Sequence, residues 1–200
     1  QPVMDEEEDN WVAKEVGHRL EDLVAEIFAR KTGFKVYAIR KMFQHPLYPF
    51  MLADVDYFIE FADGTTGILE CKTTNYQNKW SNDSVPVNYE YQGRHYMAVL
   101  NLDKVYFACL YGNNESEFII RCVERDLDIE EDLIAEEEYF WKEYVEKGVE
   151  PPYTEKPDLV LESIRRHCGP AEKDADQVNL DRKHVVELER YLQLKEEKAR

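Results

Sequence analysis

Long apolar runs are missing from this 200-residue chain, and with them any case for a membrane-spanning helix. No segment reads as a signal peptide or a lipidation motif either, so a soluble, cytoplasmic protein is expected. Cysteine is sparse: Cys71, Cys109, Cys122 and Cys168 form no CxxC pair and no zinc-ligand spacing. Three of them lie in apolar, strand-like runs and are expected as reduced, buried thiols. The five histidines make no ligand pair, and His45 and His95 read as structural. There is no phosphate-cradling glycine loop, no Ser-His-Asp arrangement, no internal repeat, and no low-complexity tract beyond the acidic opening "DEEED". Positive charge is also scarce. With 25 Lys and Arg against 42 Asp and Glu, the net charge of −17 by itself argues against nucleic acid, whose phosphates are bound by basic side chains that displace counterions.

The distribution of what is present softens that exclusion. Residues 11–110 carry 12 acidic and 11 basic side chains, so the acidity belongs to the flanks, −5 over residues 1–10 and −11 over residues 111–200. Arg30, Lys31, Lys35, Arg40 and Lys41 gather locally, and a solvated helix end fits them as well as a phosphate track. A hydrophobic fraction of 44% over this length supports one domain with a real core, with or without an appendage. The chain starts at Gln1 and not at Met, as a fragment or a processed chain would.

Val12, Val16, Leu20, Leu23/Val24 and Ile27/Phe28 recur at helical spacing and predict a helix over 11–31, closed by Thr32-Gly33. Gly17, Glu21, Val24 and Phe28 form a neighbouring line on it. Glycine inside a helix costs about 1 kcal/mol against alanine, so close packing at Gly17 is expected. Strands are predicted over 34–42, 51–61 and 66–74, the first two linked by "QHPLYP", whose prolines bar a helix. A polar loop leads to a helix over 86–101, and "KVYFACLYG" and "EFIIRCVE" read as strands around a Gly-Asn-Asn turn. An acidic helix over 126–147, a linker "PPYTEKP" and a helix over 180–198, with Val185, Leu188, Leu192 and Leu194 apolar, complete the chain. The order α-β-β-β-α-β-β predicts an α/β (α+β) core, a mixed central sheet flanked by helices, with a C-terminal helical extension. The expected domains are an acidic segment 1–10, a core 11–125 and an acidic helical extension 126–200.

Acids interrupt the second and third predicted strands, where apolar residues are the rule. A three-residue hairpin loop, Ala62-Asp63-Gly64, puts glycine at the left-handed position such loops demand. Phe61 then faces Thr65, and Asp56 falls opposite Glu70 on one face of the sheet, side chains about 5 Å apart. Alternation adds Lys72 to that face and sends Val55, Tyr57, Ile59 and Cys71 to the other. Like charges directly opposite on a sheet are destabilising, unless a shared proton, a cation or a different register relieves them. A divalent cation is the simplest answer. Mg2+ is commonly held by one or two carboxylates plus waters and substrate phosphate, and the Cys71 backbone carbonyl is a further donor. Lys72 beside it would orient or deprotonate an attacking water and offset phosphate charge. Spacing alone leaves an exposed hairpin with scattered charges as an even alternative. The position of the acids within apolar runs, and a D…E-x-K pattern on adjacent strands, lower it.

That pattern resembles the signature of the PD-(D/E)XK nuclease superfamily. The blocks "VGHRLEDLVAEIFARKTGFKV", "QHPLYPFMLADVDYFI", "GILECKTT" and "VPVNYEYQGRHYMAV", in that order, further resemble the YqaJ-type viral recombinases, relatives of lambda exonuclease, over about residues 10–125. "LDRKHVVELERYLQLKEE" is similar more loosely. The resemblance implies a restriction-endonuclease-like core and Mg2+-dependent cleavage of DNA, with Mn2+ as a substitute, typically digestion of one strand of a duplex from 5′ to 3′. It implies Asp56 and Glu70 as metal ligands, Cys71 as a carbonyl donor, and Lys72 as the catalytic lysine. Glu21 matches the helix acid that completes or supports the metal site, and Gln92 the glutamine that positions water or the scissile phosphate.

Three features depart from the family pattern, one being that the last helix stops early. An N-terminal segment with an Arg and a Gly-Gly-Ser-Asp-like motif has no counterpart in this sequence. Arg94 stands where many relatives have a second glutamine, and reads as a substituted phosphate contact. Thr73, Arg40 and Lys41 are further candidates for DNA contact, and Trp80 reads equally as a base-stacking residue or as core cover. Tyr89 and Tyr96 flank Gln92 on one helical face and read first as packing.

The resemblance further implies double-stranded DNA ends as substrate and a single-strand annealing protein as partner. A homotrimeric ring with an acidic exterior and a neutral-to-basic bore would reconcile −17 with DNA, in a bacterial cytoplasm, encoded by the host or a prophage. An endonuclease of the same fold and an inactive DNA-binding module are the alternatives. The presence of every expected site residue counts against the second.

Overall fold

The computed structural model describes residues 11–75, 80, 84–152, 179 and 181–198. The acidic segment 1–10, most of the polar loop after residue 75, the linker beyond Pro152, and Cys168 lie outside the described residues. The chain divides into two compact units, residues 1–149 and 150–200.

Helix α1 (Trp11–Thr32) buries Val24, Ala25 and Phe28, the C-terminal part of its apolar stripe, while Trp11, Val12 and Val16 are exposed. It stops where the sequence indicates. Thr32 Oγ1 donates to the Phe28 carbonyl at 2.8 Å, and Gly33, at φ +73°, donates its N–H to the Ala29 carbonyl at 2.8 Å.

Five strands form the main sheet: β1 (Lys35–Tyr37), β4 (Tyr57–Glu60), β5 (Thr66–Thr74), β6 (Lys104–Tyr111) and β7 (Ile119–Glu124), side by side in that order. β5 and β6 are the parallel pair, joined through helix α2 (Val87–Leu100), and the other pairs are antiparallel. The architecture is a mixed sheet flanked by helices, as expected from the sequence. α1 packs with Tyr57, Ile59, Leu69 and Cys71 on one face. Met97 of α2 packs with Phe58, Ile68, Val105 and Phe107 on the other.

The strands expected over 34–42 and 51–61 are broken up. Only Lys35–Tyr37 of the first joins the sheet, and the second yields β3 (Leu52–Ala53) and β4, with residues 54–56 in neither ladder. β3 pairs with β2 (Phe43–Gln44) in a separate two-stranded ribbon. The ribbon has a core of its own, Met51 and Ala53 against Ala98 and Val99 of α2, and that burial draws the chain out of the main sheet. The imidazole of His45 holds the bend, its Nδ1 accepting from the Leu47 and Tyr48 N–H groups at 3.1 Å each. Because the extended alternation is interrupted there, Val55 packs with Phe58 and Ile68, on the α2 face, and not with Tyr57 as the period of two requires.

Helix α3 (Leu127–Phe140) starts on Asp126, which accepts from the Asp128 and Ile129 N–H groups, and gives way to a π turn at Trp141–Val145. α3 is tied to α2 and to the ribbon by His95, whose Nδ1 lies 2.8 Å from Glu137 Oε1 and whose Nε2 lies 2.9 Å from the Leu52 carbonyl oxygen. The carbonyl only accepts, so Nε2 donates to Leu52, and the Glu137 carboxyl beside Nδ1 favours the charged ring. Burial works against that charge, and the bonds to Glu137 and Leu52 outweigh it, leaving the His95 pKa raised.

Cys71 and Cys109 are buried free thiols, but Cys122 is exposed on the outer strand β7, against the expectation of burial. In the second unit, helix α4 (Arg182–Lys198) exposes Val185, Leu188, Leu192 and Leu194. No helix among the described residues is long and apolar enough to cross a membrane.

Of the two helical glycines Gly17 and Gly93, the tight one is Gly93 of α2. A Cβ at Gly17 would lie 3.7 Å from Thr73 Oγ1, an ordinary contact, whereas one at Gly93 would meet Phe107 Cζ at 2.7 Å and Val105 Cγ1 at 2.9 Å. Gly93→Ala is therefore expected to push α2 off the sheet and destabilise the protein by about 1–3 kcal/mol, read from urea unfolding.

Candidate active site

The β4–β5 hairpin has the register that the sequence indicates. Tyr57 pairs with Leu69 and Glu60 with Thr66, and the loop closes with Phe61 N–H to the Thr65 carbonyl at 2.9 Å and Gly64 at φ +84°. Asp63 Oδ1 accepts from the Thr65 N–H and hydroxyl, an Asx turn that locks the loop. Asp56 stands one residue beyond the last ladder pair. Its Oδ2 accepts from the Cys71 N–H at 2.8 Å, so the carboxylate is anchored on the backbone next to Glu70.

Glu70 lies in the middle of β5, the central strand, paired with Phe107 of β6, and is 1% exposed, the only buried charged residue among those described. Its Oε2 accepts from Lys72 Nζ at 2.9 Å, and its Oε1 is buried without a hydrogen-bond partner. Burying an unpaired carboxylate oxygen costs free energy, so the group resists ionisation. Burial first, and the nearby Asp56 charge second, push the Glu70 pKa up to about 7, and Lys72 pulls it back only in part. Burial also raises Asp56, against the Cys71 N–H and Lys72. Two carboxyls that resist ionising next to each other are the electrostatic mark of a missing counter-charge.

Lys72 does not meet that demand alone. Burial disfavours its charge, but Glu70, by charge and hydrogen bond, more than compensates and its pKa is raised. It is thus an ammonium and a donor, not a general base, in this state. Lys72 Nζ also donates to Gln92 Oε1 at 3.2 Å and sits 4.9 Å from the centre of the Tyr89 ring, and Gln92 Nε2 donates to the Tyr96 hydroxyl at 3.1 Å. Helix α2 therefore delivers three side chains to one point, at helical spacing.

On the α1 side, Glu21 is 3.3 Å from His18 Nδ1, and its charge raises the Asp56 pKa slightly beside the larger effect of burial. Arg40 donates to the Tyr57 hydroxyl at 3.3 Å and pairs with Asp22 at 3.6 Å, while Tyr57 donates to Asp22. Burial and the bond to Asp22 push the Tyr57 phenol up to about 12. The Arg40 charge in turn favours ionised Asp56, so this cluster borders the carboxylates. No sequence signal pointed to Asp22 and Tyr57, which are 35 residues apart and meet only through the packing of α1 on the sheet.

The remaining candidates are scattered. Arg94 is bound to Glu90 at 2.7 Å and reaches the Glu124 carbonyl at 3.5 Å, on the β7 side of α2. Trp80 is 3% exposed and stacks on Tyr89, in the core. Lys41 rests on the Phe43 ring, 4.8 Å from its centre, and Thr73 points to α1 near Gly17.

The donors fit a hard divalent cation. The unpartnered Glu70 oxygen, the adjacent Asp56 carboxylate and a backbone carbonyl are all oxygen ligands, as Mg2+ and Mn2+ prefer. Among the described residues no group of three or more His, Cys, Asp or Glu is arranged to hold a metal.

The fold around this site is similar to that of solved alkaline exonucleases. A crystal structure of an alkaline exonuclease (LHK-Exo) from Laribacter hongkongensis matches with a TM-score of 0.59 and 19% identity, over 78% of this chain and 74% of that one. A phage-related exonuclease from Haemophilus somnus 129PT matches with a TM-score of 0.50 and 11% identity, over 68% and 73%. The YqaJ-like viral recombinase domain model matches residues 1–103, and the chain belongs to that family. Uncharacterized protein YqaJ of Bacillus subtilis (strain 168) is 32% identical over 185 residues, 90% of this chain. The match spans 56% of that relative's length.

Proposed function

We propose that this chain is a divalent-metal-dependent deoxyribonuclease that resects double-stranded DNA ends. One observation carries the reading: a buried Glu70 carboxylate with one oxygen on Lys72, the other unpartnered, and a second carboxylate, Asp56, beside it. Asp56, Glu70 and the Cys71 carbonyl would hold Mg2+ or Mn2+, with Glu21 in support. When bound, such an ion offsets charge on the phosphodiester and lowers the pKa of water. The protein supplies the rest. Lys72 donates to the phosphate or to the entering water, Gln92 orients its partner through the side-chain amide, and the buried strand keeps both carboxylates in place without reorganisation. Arg40, exposed at the border of the carboxylates, is suited to a phosphate of the duplex.

In this reading the enzyme is an exonuclease working from 5′ to 3′ in single-strand-annealing recombination, with an annealing protein as partner and residues 11–125 as the catalytic core; the likeness to solved exonucleases favours the exonuclease class. A homotrimeric ring fits the near-neutral balance of residues 11–110 within an acidic chain. Linear and covalently closed duplex, each with Mg2+, Mn2+ or EDTA, make the test. The linear duplex should be digested with either metal and the circle left intact; digestion of the circle would move the assignment to an endonuclease. Asp56→Ala should lower cleavage by about 10²–10³-fold with duplex binding retained. Undiminished cleavage would overturn the site.

A further inference from the structure

Lys72 is held from three directions, and one of the holders is an aromatic ring. An ammonium has three N–H bonds, and two of them are taken by Glu70 Oε2 at 2.9 Å and Gln92 Oε1 at 3.2 Å. The face of Tyr89 lies 4.9 Å from the nitrogen, and its quadrupole attracts the cation. The ring is itself backed by Trp80, stacked at 5.9 Å and 3% exposed. With the Lys72 side chain 18% exposed, the third N–H is left for whatever enters the site.

Gln92 has two amide orientations, and its neighbours allow one. Turned around, its NH2 would face the ammonium, donor against donor. Tyr96 supports the productive orientation by accepting from Gln92 Nε2 at 3.1 Å. The Tyr96 ring is half-buried against the core between α2 and the sheet, which steadies its hydroxyl.

We infer that Tyr89 and Tyr96 are positioning residues for Lys72, Tyr89 as an aromatic floor beneath the ammonium and Tyr96 through the amide of Gln92. The catalytic meaning of this arrangement rests on the nuclease reading above; its geometry does not. A lysine side chain has four rotatable bonds, and an unheld ammonium would follow the nearest phosphate oxygen instead of waiting at one place. Holding it matters in the transition state more than in substrate binding, so loss of either tyrosine acts on kcat more than on KM.

Two readouts test the inference. In turnover of linear duplex, Tyr89→Leu lowers kcat about tenfold with KM changed less than about twofold, and Tyr89→Phe, which keeps the ring, restores the rate. Tyr96→Phe, which removes one oxygen and leaves the packing, lowers kcat about fivefold. In the metal-free protein, the ε-methylene proton resonances of Lys72, assigned with Lys72→Arg, are moved upfield by the Tyr89 ring in the wild type and in Tyr89→Phe. They return to ordinary lysine positions in Tyr89→Leu. Unshifted resonances in a wild type that cleaves DNA would overturn the inference and leave the nuclease reading standing. So would wild-type kcat in both Tyr89→Leu and Tyr96→Phe. Shifted resonances in a protein that cleaves no DNA would uphold the geometry and overturn the nuclease reading.

Discussion

Glu70→Gln yields a protein that no longer cleaves DNA but melts at a higher temperature than the wild type when both are free of metal. The two effects have one cause. Glu70 is buried in the centre of the sheet with one oxygen unpartnered, and its pKa is pushed up to about 7 from 4.5. Above pH 7 it is ionised in the folded and unfolded states alike, and the folded state bears a net electrostatic cost of about 3 kcal/mol from burial and Asp56, less the attraction of Lys72, that a neutral amide still able to accept from Lys72 avoids. That difference corresponds to roughly 5–10 °C in melting temperature for a chain of this size.

The pH dependence has a definite sign. A group raised in the folded state binds its proton more tightly there, so the stability of the wild type grows as pH falls through about 7 and the gain is complete near 4.5. Glu70→Gln lacks this rise, and the difference between the two melting curves isolates it from the other carboxylates. Mn2+ should reverse the order by stabilising the wild type and leaving the variant unchanged. Equal melting temperatures at pH 8 without metal would show that Glu70 is not under electrostatic strain.

The second large effect concerns its partner. Lys72→Met removes the cation bound to Glu70, and at pH 8 it should destabilise the protein by about 2–4 kcal/mol as well as lowering cleavage about 10²–10³-fold. Removing half of a buried pair leaves the other half to be ionised without help. The cost shrinks toward pH 5, where Glu70 takes up a proton instead. Lys72→Met combined with Glu70→Gln should be more stable than Lys72→Met alone and equally inactive, because the double change removes the orphaned charge without restoring the donor. Chemical unfolding of the four proteins at pH 8 and pH 5, with cleavage of linear duplex in parallel, closes the cycle. Strict additivity of the stabilities would mean that the two side chains do not interact.

Much of this site could be read along the chain, because its geometry is set by local rules. The Ala62-Asp63-Gly64 loop needs a left-handed residue, glycine supplies it, and the register of β4 and β5 follows residue by residue. A period of two then carries Glu70 and Lys72 to one face. Helical spacing similarly aligns Tyr89, Gln92 and Tyr96. Where the chain leaves regular structure the same rules lose their hold. Residues 54–56 depart from the ladder, so Val55 turns to the other face and Asp56 meets Glu70 by hydrogen-bonding the Cys71 N–H instead of as a ladder pair.

Contacts between distant segments had no such periodicity to announce them. Trp80 has the same composition signal in a loop whether it faces solvent or, as here, stands behind Tyr89. Arg94 resembles a phosphate contact until Glu90 and the Glu124 carbonyl are seen to occupy it. Gly93 looks like any helical glycine until Phe107 lies across it.

The sequence by itself determined the order of elements, the hairpin register and the residue types at the site, since these depend on neighbours within a few positions. Only the tertiary structure decided the depth at which Glu70 lies, the oxygen left without a partner, and the ring and amide that hold Lys72. Burial and electrostatic strain arise from how separate segments exclude water together, and no single stretch of chain contains that information.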